Sequence, residues 1–463
     1  MIVDASARAH ALSAAYEQSP SVKRIIVTPG NDFMGYHRRK EVIIAPGTLT
    51  DSQSFLGVAK KYKPDLVDVC QDDALACGTV DLLQKHGFAV FGPTRKASRL
   101  EWDKAWSREL MENYRIPHPN YNVFSNNEEG MDYVFRAFGN DPSSTFFVKA
   151  AGLCAGKGAI KADNLEKAIA AIKEMKNFGT AGETFLVEKA MVGEEASVYA
   201  ICDGNSMYIT KPAQDHKQRD VFDSGPNTGG MGAVAPCLLV SNDKTLQEEI
   251  RKKVLNPAMD GLEREGIPYT GILYGGIMAV DRGGDDDKGG DYRGQKTPHK
   301  TPMVIEFNAR WGAPEAEVVI PGILTPMDEI SLSCIAGKLV QIHEDPKTRV
   351  CIVGASRGYP GDYSSMKGKQ IFGLERVMEM KGVSLFGAGI VVSDGKFYAS
   401  GGRLFSVVAE GDNVSQARQR ALSAMAEIHI QGNNLHYRTD IGWRDVERMN
   451  NVVEGTQFPY WVS

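Results

Sequence analysis

The run Lys149-Ala-Ala-Gly-Leu-Cys-Ala-Gly-Lys-Gly158 ends an apolar, strand-like segment on one lysine and follows it with a glycine-rich turn carrying a second, Lys157. Gly152, Gly156 and Gly158 let backbone N–H groups come close to phosphate oxygens, and the lysines add positive charge. A flexible hairpin turn would share this composition. The run is not a P-loop. Its glycine spacing is one residue short, and Gly158 stands where a Ser or Thr would ligate magnesium. A different phosphate-binding architecture is expected.

A second constellation is Val304-Ile-Glu-Phe-Asn308. Side chains alternate along a strand, so Glu306 and Asn308 face the same side. Two oxygen donors on one rigid strand suit magnesium, which takes few protein ligands and leaves positions for nucleotide phosphates. Arg310 shares that face if the strand persists, placed to clamp a carboxylate or a phosphoryl oxygen. A solvent-facing Glu and Asn would give the same local pattern.

A third is Gln214-Asp-His-Lys217, followed by Asp223-Ser-Gly-Pro-Asn-Thr-Gly-Gly-Met-Gly232. The loop is too glycine-rich for a helix and too long for a simple turn. It offers backbone donors beside the side chains of Asp215, His216 and Lys217. Long glycine loops inside an enzyme are usually binding loops or lids; a disordered surface loop is the alternative. The acids Glu194 and Glu195 open a later strand, where Glu195 would reach ribose hydroxyls. Two solvated surface acids would look the same.

The elements that position these residues read as follows. Short apolar runs at Arg24–Thr28, Val42–Ala45, Leu66–Val69 and Ala89–Phe91 alternate with helical patterns at Ser52–Tyr62 and Thr79–His86. With tight Gly/Pro turns between them, they predict βαβ units and a parallel sheet. A helix is expected over Ala97–Tyr114, then strands at Thr145–Lys149 and Thr184–Glu188 around a helix at Asn164–Met175. A β-rich stretch begins at Ala196. Strands at Tyr274–Val280 and Met303–Phe307 flank a polar run, 282–301, read as a long hairpin connection and surface insertion. Beyond residue 336, strands at Arg349–Gly354, Gly389–Ser393, Lys396–Ala399 and Leu404–Ala409 precede a helix at Val414–Ile428, as in a small α+β domain.

Composition excludes several classes. At roughly 100–200 residues per domain, 463 residues make about two to four domains, and 42% hydrophobic with 24% charged residues is ordinary for a soluble core. The net charge of -5 lacks the basic surplus of a nucleic-acid binder. Seven scattered cysteines without a C-x-x-C pair argue against a disulfide framework or structural zinc. Neither a leader-like N-terminus nor a membrane-length apolar run is visible, so the cytoplasm is expected and a membrane is not.

In this order and spacing, QDHK, SGPNTGGMGA, YTGILYGGIM, VIEFNARWG, GYPGDY and YRTDIGW resemble the glycinamide ribonucleotide synthetase (phosphoribosylamine–glycine ligase) family, from about residue 1 to 443. The resemblance implies an α/β and α+β protein: a Rossmann-like N-terminal domain (1–102), an ATP-grasp core (103–335) with a mobile lid (about 121–192), a small α+β C-terminal domain (336–445) and a tail (446–463). It implies ATP and Mg2+ (or Mn2+). Lys104 and Lys149 would contact ATP phosphates, with Gly152, Gly156, Lys157 and Gly158 in the loop over them. Glu188 and Ala190 would line the adenine pocket, Glu195 hold the ribose, and Glu306 and Asn308 ligate the metal. Asp215, Lys217, Arg310 and Gly230 are the implied catalytic set. Arg8, His10, His216, Asn227, Thr228 and Gly229 are the implied substrate-binding set.

The implied reaction activates glycine as an acyl-phosphate and passes it to 5-phosphoribosylamine, giving glycinamide ribonucleotide, ADP and phosphate in purine biosynthesis. Backbone donors of the loop 225–232 would stabilise the oxyanion. Partners would be small molecules, and the enzyme a monomer or small homo-oligomer. Departures fall on the amine half. Asp4, Ser6 and Ala7 replace the glycines of the family's opening turn, Ala9 replaces its Glu, and Cys70-Gln71-Asp72 replaces Gly-Pro-Glu. Trp102-Asp103 replaces Gly-Ser, and Ala313 an Asp. These leave two alternatives: a diverged ligase using another amine, and a non-catalytic nucleotide-binding protein.

Overall fold

The five short strands of the first hundred residues are β1 (Ile2–Asp4), β2 (Arg24–Pro29), β3 (Glu41–Ile44), β4 (Val67–Val69) and β5 (Val90–Phe91). All neighbouring pairs are parallel, in the order β3-β2-β1-β4-β5. The helices that return the chain are α1 (Ala7–Gln18), α2 (Ser52–Tyr62), α3 (Asp72–Ala76) and α4 (Thr79–Lys85). β1 has only three residues, too few to stand out as a strand in the sequence. The computed structural model describes residues 1–154, 156–281 and 300–454. Most of the expected 282–301 connection therefore lies outside the described residues.

The expected helix over Ala97–Tyr114 is two helices, α5 (Arg99–Trp102) and α6 (Lys104–Asn113). Asp103 breaks it: its Oδ1 accepts the Trp106 N–H (3.1 Å) and its Oδ2 pairs with Arg99 (2.8 Å). An aspartate that caps the next helix competes with continuing the first. Lys104 is thereby the first residue of α6.

A four-stranded antiparallel sheet follows, ordered β6 (Tyr121–Phe124), β9 (Phe185–Lys189), β7 (Phe146–Ala150), β8 (Ala159–Ala162). α7 (Asn127–Asn140) and α8 (Leu165–Glu174) cover it, burying Val134, Phe138, Ile172 and Phe185. Each fully buried side chain of this size contributes about 1.5–3 kcal/mol. The next sheet is ordered β11 (Met207–Ile209), β10 (Glu194–Asp203), β16 (Thr270–Asp281), β17 (Lys300–Asn308).

The last large sheet joins distant segments. Its strands run β12 (Gln214–Asp215), β15 (Gly232–Ala235), β18 (Thr348–Ser356), β23 (Arg403–Gly411), β20 (Val383–Gly387), with β25 (Leu435–His436) on β18. β13 (Gln218–Asp220) and β14 (Ser224–Asn227) form a hairpin, and β19 (Gln370–Phe372), β21 (Ile390–Ser393), β22 (Lys396–Ala399) and β24 (His429–Ile430) a small side sheet. The helix Trp443–Glu454 occupies the start of the expected tail. One buried cluster holds Ile2, Leu12, Tyr199, Trp311, Val353 and Phe386, so the N-terminal, central and C-terminal segments share a core. No helix among the described residues is long and apolar enough to cross a membrane.

Candidate active site

β16 and β17 pair antiparallel, with Glu306 opposite Gly276 and Asn308 opposite Tyr274. Asn308 Nδ2 donates to Glu306 Oε1 at 3.4 Å, so the two side chains share a face. Glu306 lines a crevice with Glu195, Ser197, Asp215, Lys217 and Tyr274. Burial would push its carboxyl up, but Lys217, Lys104 and Lys149 outweigh it and hold the group below its ordinary value. The positive charges of three lysines from three separate segments thus act on one carboxylate.

The crevice is nearly closed, at about 10 Å³. Lys217 Nζ sits 2.9 Å from Glu195 Oε2, and with 36% and 44% of their side chains exposed the pair forms its water-facing edge. A carboxylate or phosphoryl group entering here must part them. A much larger cleft, about 850 Å³, lies between α5–α6 and the β6–β9 sheet, lined by Trp102, Trp106, Tyr121, Val123 and Leu153. Neither Glu306 nor any of these three lysines lines it.

Lys149, one residue before the end of β7, pairs with Glu188 on β9 (Nζ–Oε2 2.6 Å). Glu188 also receives Arg108 of α6 (Nε–Oε1 2.6 Å). Burial opposes this carboxylate, yet Lys149 and Arg108 hold it down at about 2. Arg108 continues to the carbonyls of Val304 (3.1 Å) and Ile305 (2.6 Å), immediately before Glu306. Arg108 therefore fastens β9 to β17, the strand that carries Glu306. Nothing in the local sequence marks it, since an arginine inside an amphipathic helix usually faces water.

In the glycine turn, Gly152 N–H donates to Ala181 O (3.0 Å), and a Cβ at Gly152 would meet Ala181 Cα at 2.7 Å. Gly156 has φ +77°, and a Cβ at Gly158 would come to 2.8 Å of Cys154 Cβ. Lys157 is exposed at the tip. Lys104 Nζ donates to Gly152 O at 3.4 Å. Ala190 follows β9, its N–H held by Thr145 O.

Asp215 is pushed well up by burial and by Glu315, and its Oδ1 has no partner among the described residues. Gly230 packs on it: a Cβ there would lie 2.7 Å from Asp215 Oδ1 and 2.4 Å from Pro314 Cδ. Glu315, absent from the sequence-based set, accepts from Ser197 Oγ (2.9 Å) and Tyr274 OH (3.0 Å). It lies just past the VIEFNARWG motif, and only the fold turns it back toward Asp215. Arg310 is half-buried, pairing with Glu101 (2.6 Å) and, at 3.7 Å, with Asp72 of α3.

Several expected contacts are otherwise engaged. Arg8 is bound to Asp4 (2.7 Å) and to Trp311 O (2.7 Å), so its charge is already neutralised. His10 accepts the Gly387 N–H (2.9 Å) between Phe33 and Phe386, pinning the N-terminal unit to β20. His216 accepts the Gly442 N–H (2.9 Å) and is buried away from the crevice, because successive side chains of this strand alternate between Lys217's face and the C-terminal segment. Three N–H groups of the loop 225–232 are engaged within the fold: Thr228 N–H goes to Lys217 O, Gly229 N–H to Tyr359 OH and Gly230 N–H to Thr228 Oγ1. Asn227 lies exposed on β14, its backbone opposite Gln218. These four residues build the hairpin wall.

The donor set suits a divalent ion. Glu306 supplies a carboxylate oxygen and Asn308 an amide oxygen, if the amide turns over. Among the described residues no group of three or more His, Cys, Asp or Glu is placed to hold a metal. Such an ion would rely on phosphates and water for its remaining ligands, as magnesium does.

Family models for phosphoribosylglycinamide synthetase match the chain in three parts: the N domain at residues 1–101, the ATP-grasp (A) domain at 102–316 and the C domain at 349–444. The phosphoribosylamine–glycine ligase of Pasteurella multocida is 35% identical over 460 residues, covering 97% of this chain and 99% of the relative. The human trifunctional purine biosynthetic protein adenosine-3 is 35% identical over 452 residues, 96% of this chain; the chain spans 42% of that relative's length. The crystal structure of phosphoribosylamine–glycine ligase from Thermotoga maritima aligns with TM-score 0.74 at 26% identity, over 95% of this chain and 99% of the other.

Proposed function

The chain belongs to the phosphoribosylglycinamide synthetase family of ATP-grasp ligases, and from that premise we propose that it joins a carboxylate to an amine through an acyl-phosphate, with ATP converted to ADP. The observation that carries this reading is Glu306 and Asn308 on one face of β17, Glu306 in a crevice shared with Asp215 and Lys217, where the charges of Lys217, Lys104 and Lys149 hold the Glu306 carboxyl down. The lysines would neutralise the phosphate chain while the carboxylate oxygen attacks the γ-phosphorus and ADP leaves. The amine nitrogen then attacks the acyl carbon, the carbon–oxygen bond to phosphate breaks, and the nitrogen gives up a proton as inorganic phosphate departs. Asp215, whose Oδ1 is unpartnered, is the group within this crevice to receive that proton. A magnesium or manganese ion held by Glu306 and Asn308 would add charge neutralisation at the phosphates.

The names of the relatives bring glycine and 5-phosphoribosylamine to the two substrate positions, and with them glycinamide ribonucleotide and purine biosynthesis. The same reading places the enzyme in the cytoplasm with small-molecule partners, as a monomer or small homo-oligomer. A second reading, another amine in place of phosphoribosylamine, is favoured by one observation: the Asp4 carboxylate is buried against Arg8 at the start of α1. Incubation with ATP, glycine and hydroxylamine tests the ligase chemistry without the natural amine. ADP, phosphate and glycine hydroxamate are expected; AMP and pyrophosphate would overturn the mechanism.

A further inference from the structure

The break between α5 and α6 holds a side-chain pair that lies outside the crevice. Arg99 of α5 gives Nε and Nη2 to the same Asp103 oxygen, Oδ2, at 2.9 and 2.8 Å. The other oxygen, Oδ1, accepts the Trp106 N–H and caps α6. Both oxygens of the carboxylate are therefore engaged. Exposed ion pairs four residues apart are ordinarily loose and contribute little. This one is more constrained. The Arg99 guanidinium also lies over the Trp106 ring, 5.0 Å from its centroid, and 6.0 Å from that of Trp102. Trp102 is itself fixed, since its Nε1 donates to Arg95 O at 3.1 Å and the Arg95 guanidinium covers its ring at 5.1 Å. Two indoles thus hold Arg99 against a carboxylate that is only 22% exposed.

The next residue is Lys104. Its N–H donates to Ala151 O at 2.9 Å and its Nζ to Gly152 O at 3.4 Å, so backbone and side chain both tie the start of α6 to the glycine turn. Neighbouring Cα atoms are about 3.8 Å apart, which puts the Asp103 charge close to the lysine that faces phosphate. Left uncompensated, a carboxylate there repels a phosphate chain and competes for the lysine. At about 10 Å and the effective dielectric of a protein surface, one pair of like charges costs roughly tenfold in affinity. Serine, which stands here in the family's pattern, would cap α6 without that charge.

We infer that Arg99 is a positioning residue for nucleotide binding: its fork and the two indoles keep the Asp103 carboxylate neutralised and turned into the α6 cap, which leaves Lys104 to the phosphates. Arg99 acts through Asp103 and makes no contact with the nucleotide. This assignment rests on the reading of Lys104 as a phosphate contact.

The test follows hydroxamate formation from glycine, hydroxylamine and ATP, giving kcat and the KM for ATP, and measures the Kd for ATP by calorimetry with neither carboxylate nor amine present. The proteins are wild type, Arg99→Gln, Arg99→Lys, Asp103→Ser and the Arg99→Gln/Asp103→Ser double variant. Arg99→Gln should raise KM and Kd about tenfold, with kcat within about twofold of wild type. Arg99→Lys keeps the charge and should raise them less. Asp103→Ser keeps a cap and should raise neither; in the double variant it should return both to within about threefold of wild type. A pair that only held α5 against α6 would give the opposite pattern: Asp103→Ser alone would raise KM, and the double variant would be as impaired as Arg99→Gln. That pattern, or an Arg99→Gln protein within about twofold of wild type, overturns the inference. Should Arg99→Gln fail to fold, Asp103→Ser and the double variant decide: an unchanged Kd in both supports the inference and a raised Kd in either overturns it. Absence of hydroxamate from the wild type, with the Kd values shifted as expected, overturns the ligase reading alone.

Discussion

Arg108 and Glu188 meet at 2.6 Å between α6 and β9, and the same guanidinium reaches the Val304 and Ile305 carbonyls on β17. Lys149 shares the Glu188 carboxylate. One buried arginine therefore sets the distance between Lys149 on β7 and the Glu306 carboxylate on β17.

Arg108→Ala should destabilise the protein by about 3–5 kcal/mol, since it leaves Glu188 buried with only Lys149 and strands two carbonyls. Arg108→Lys should recover part of this, because an ammonium replaces the charge but not the fork. Urea unfolding of the three proteins measures it. A loss below about 0.5 kcal/mol would mean the link between sheets does not depend on this residue.

Glu306→Gln removes the charge that Lys217, Lys104 and Lys149 stabilise while keeping the side chain's size. ADP release should fall at least about 100-fold, with the circular dichroism spectrum and melting temperature little changed. Asn308→Ala should raise the magnesium concentration needed for half-maximal turnover rather than abolish turnover. A magnesium titration distinguishes the two roles.

The lock between His10 and Gly387 should make stability depend on pH. Burial, reinforced by Arg38, lowers His10 from 6.5 to about 3. The unfolded chain therefore binds a proton below pH 6.5 that the folded chain refuses. The contribution is whole above pH 6.5 and falls by about 1.4 kcal/mol per pH unit as pH drops toward about 3. His216, also lowered by burial, acts in the same direction. His10→Asn, which keeps an acceptor and cannot charge, should flatten the slope between pH 6.5 and 5 in urea titrations. An unchanged slope would exclude His10 as a source.

Gly230→Ala places a methyl group 2.4 Å from Pro314 Cδ and 2.7 Å from Asp215 Oδ1, at φ +106°. Asp215 must move, so kcat should drop by about tenfold or more with the KM for ATP nearly unchanged. Gly156→Ala, at φ +77° but with open space around it, should raise the KM for ATP instead. Steady-state kinetics on both variants separates the wall of the crevice from the glycine turn.

Much of the architecture was legible in the residues. The apolar runs at 24–28 and 42–45 and the helical pattern at 52–62 are found as β2, β3 and α2. The motif order pointed to the family, and strand alternation put Glu306 and Asn308 on one face. Such features are local: a period of two or of 3.6, or a glycine next to a lysine, needs no knowledge of distant neighbours. The single-helix expectation at 97–114 missed the break because one aspartate, not the hydrophobic period, decides it.

What the sequence by itself determined was therefore the family, the order of the elements and the chemistry each motif had to offer. Only the tertiary structure decided which of those groups are free to act. Arg8, His10 and His216 lie in matching motifs, yet each has a polar atom engaged by a partner elsewhere in the fold: Asp4, Gly387 and Gly442 respectively. Arg108 and Glu315 gained importance the same way, through neighbours far away in the chain. The physical reason is that a buried polar group must be satisfied by whatever the fold places within hydrogen-bond reach, and reach is a property of packing that no single segment contains.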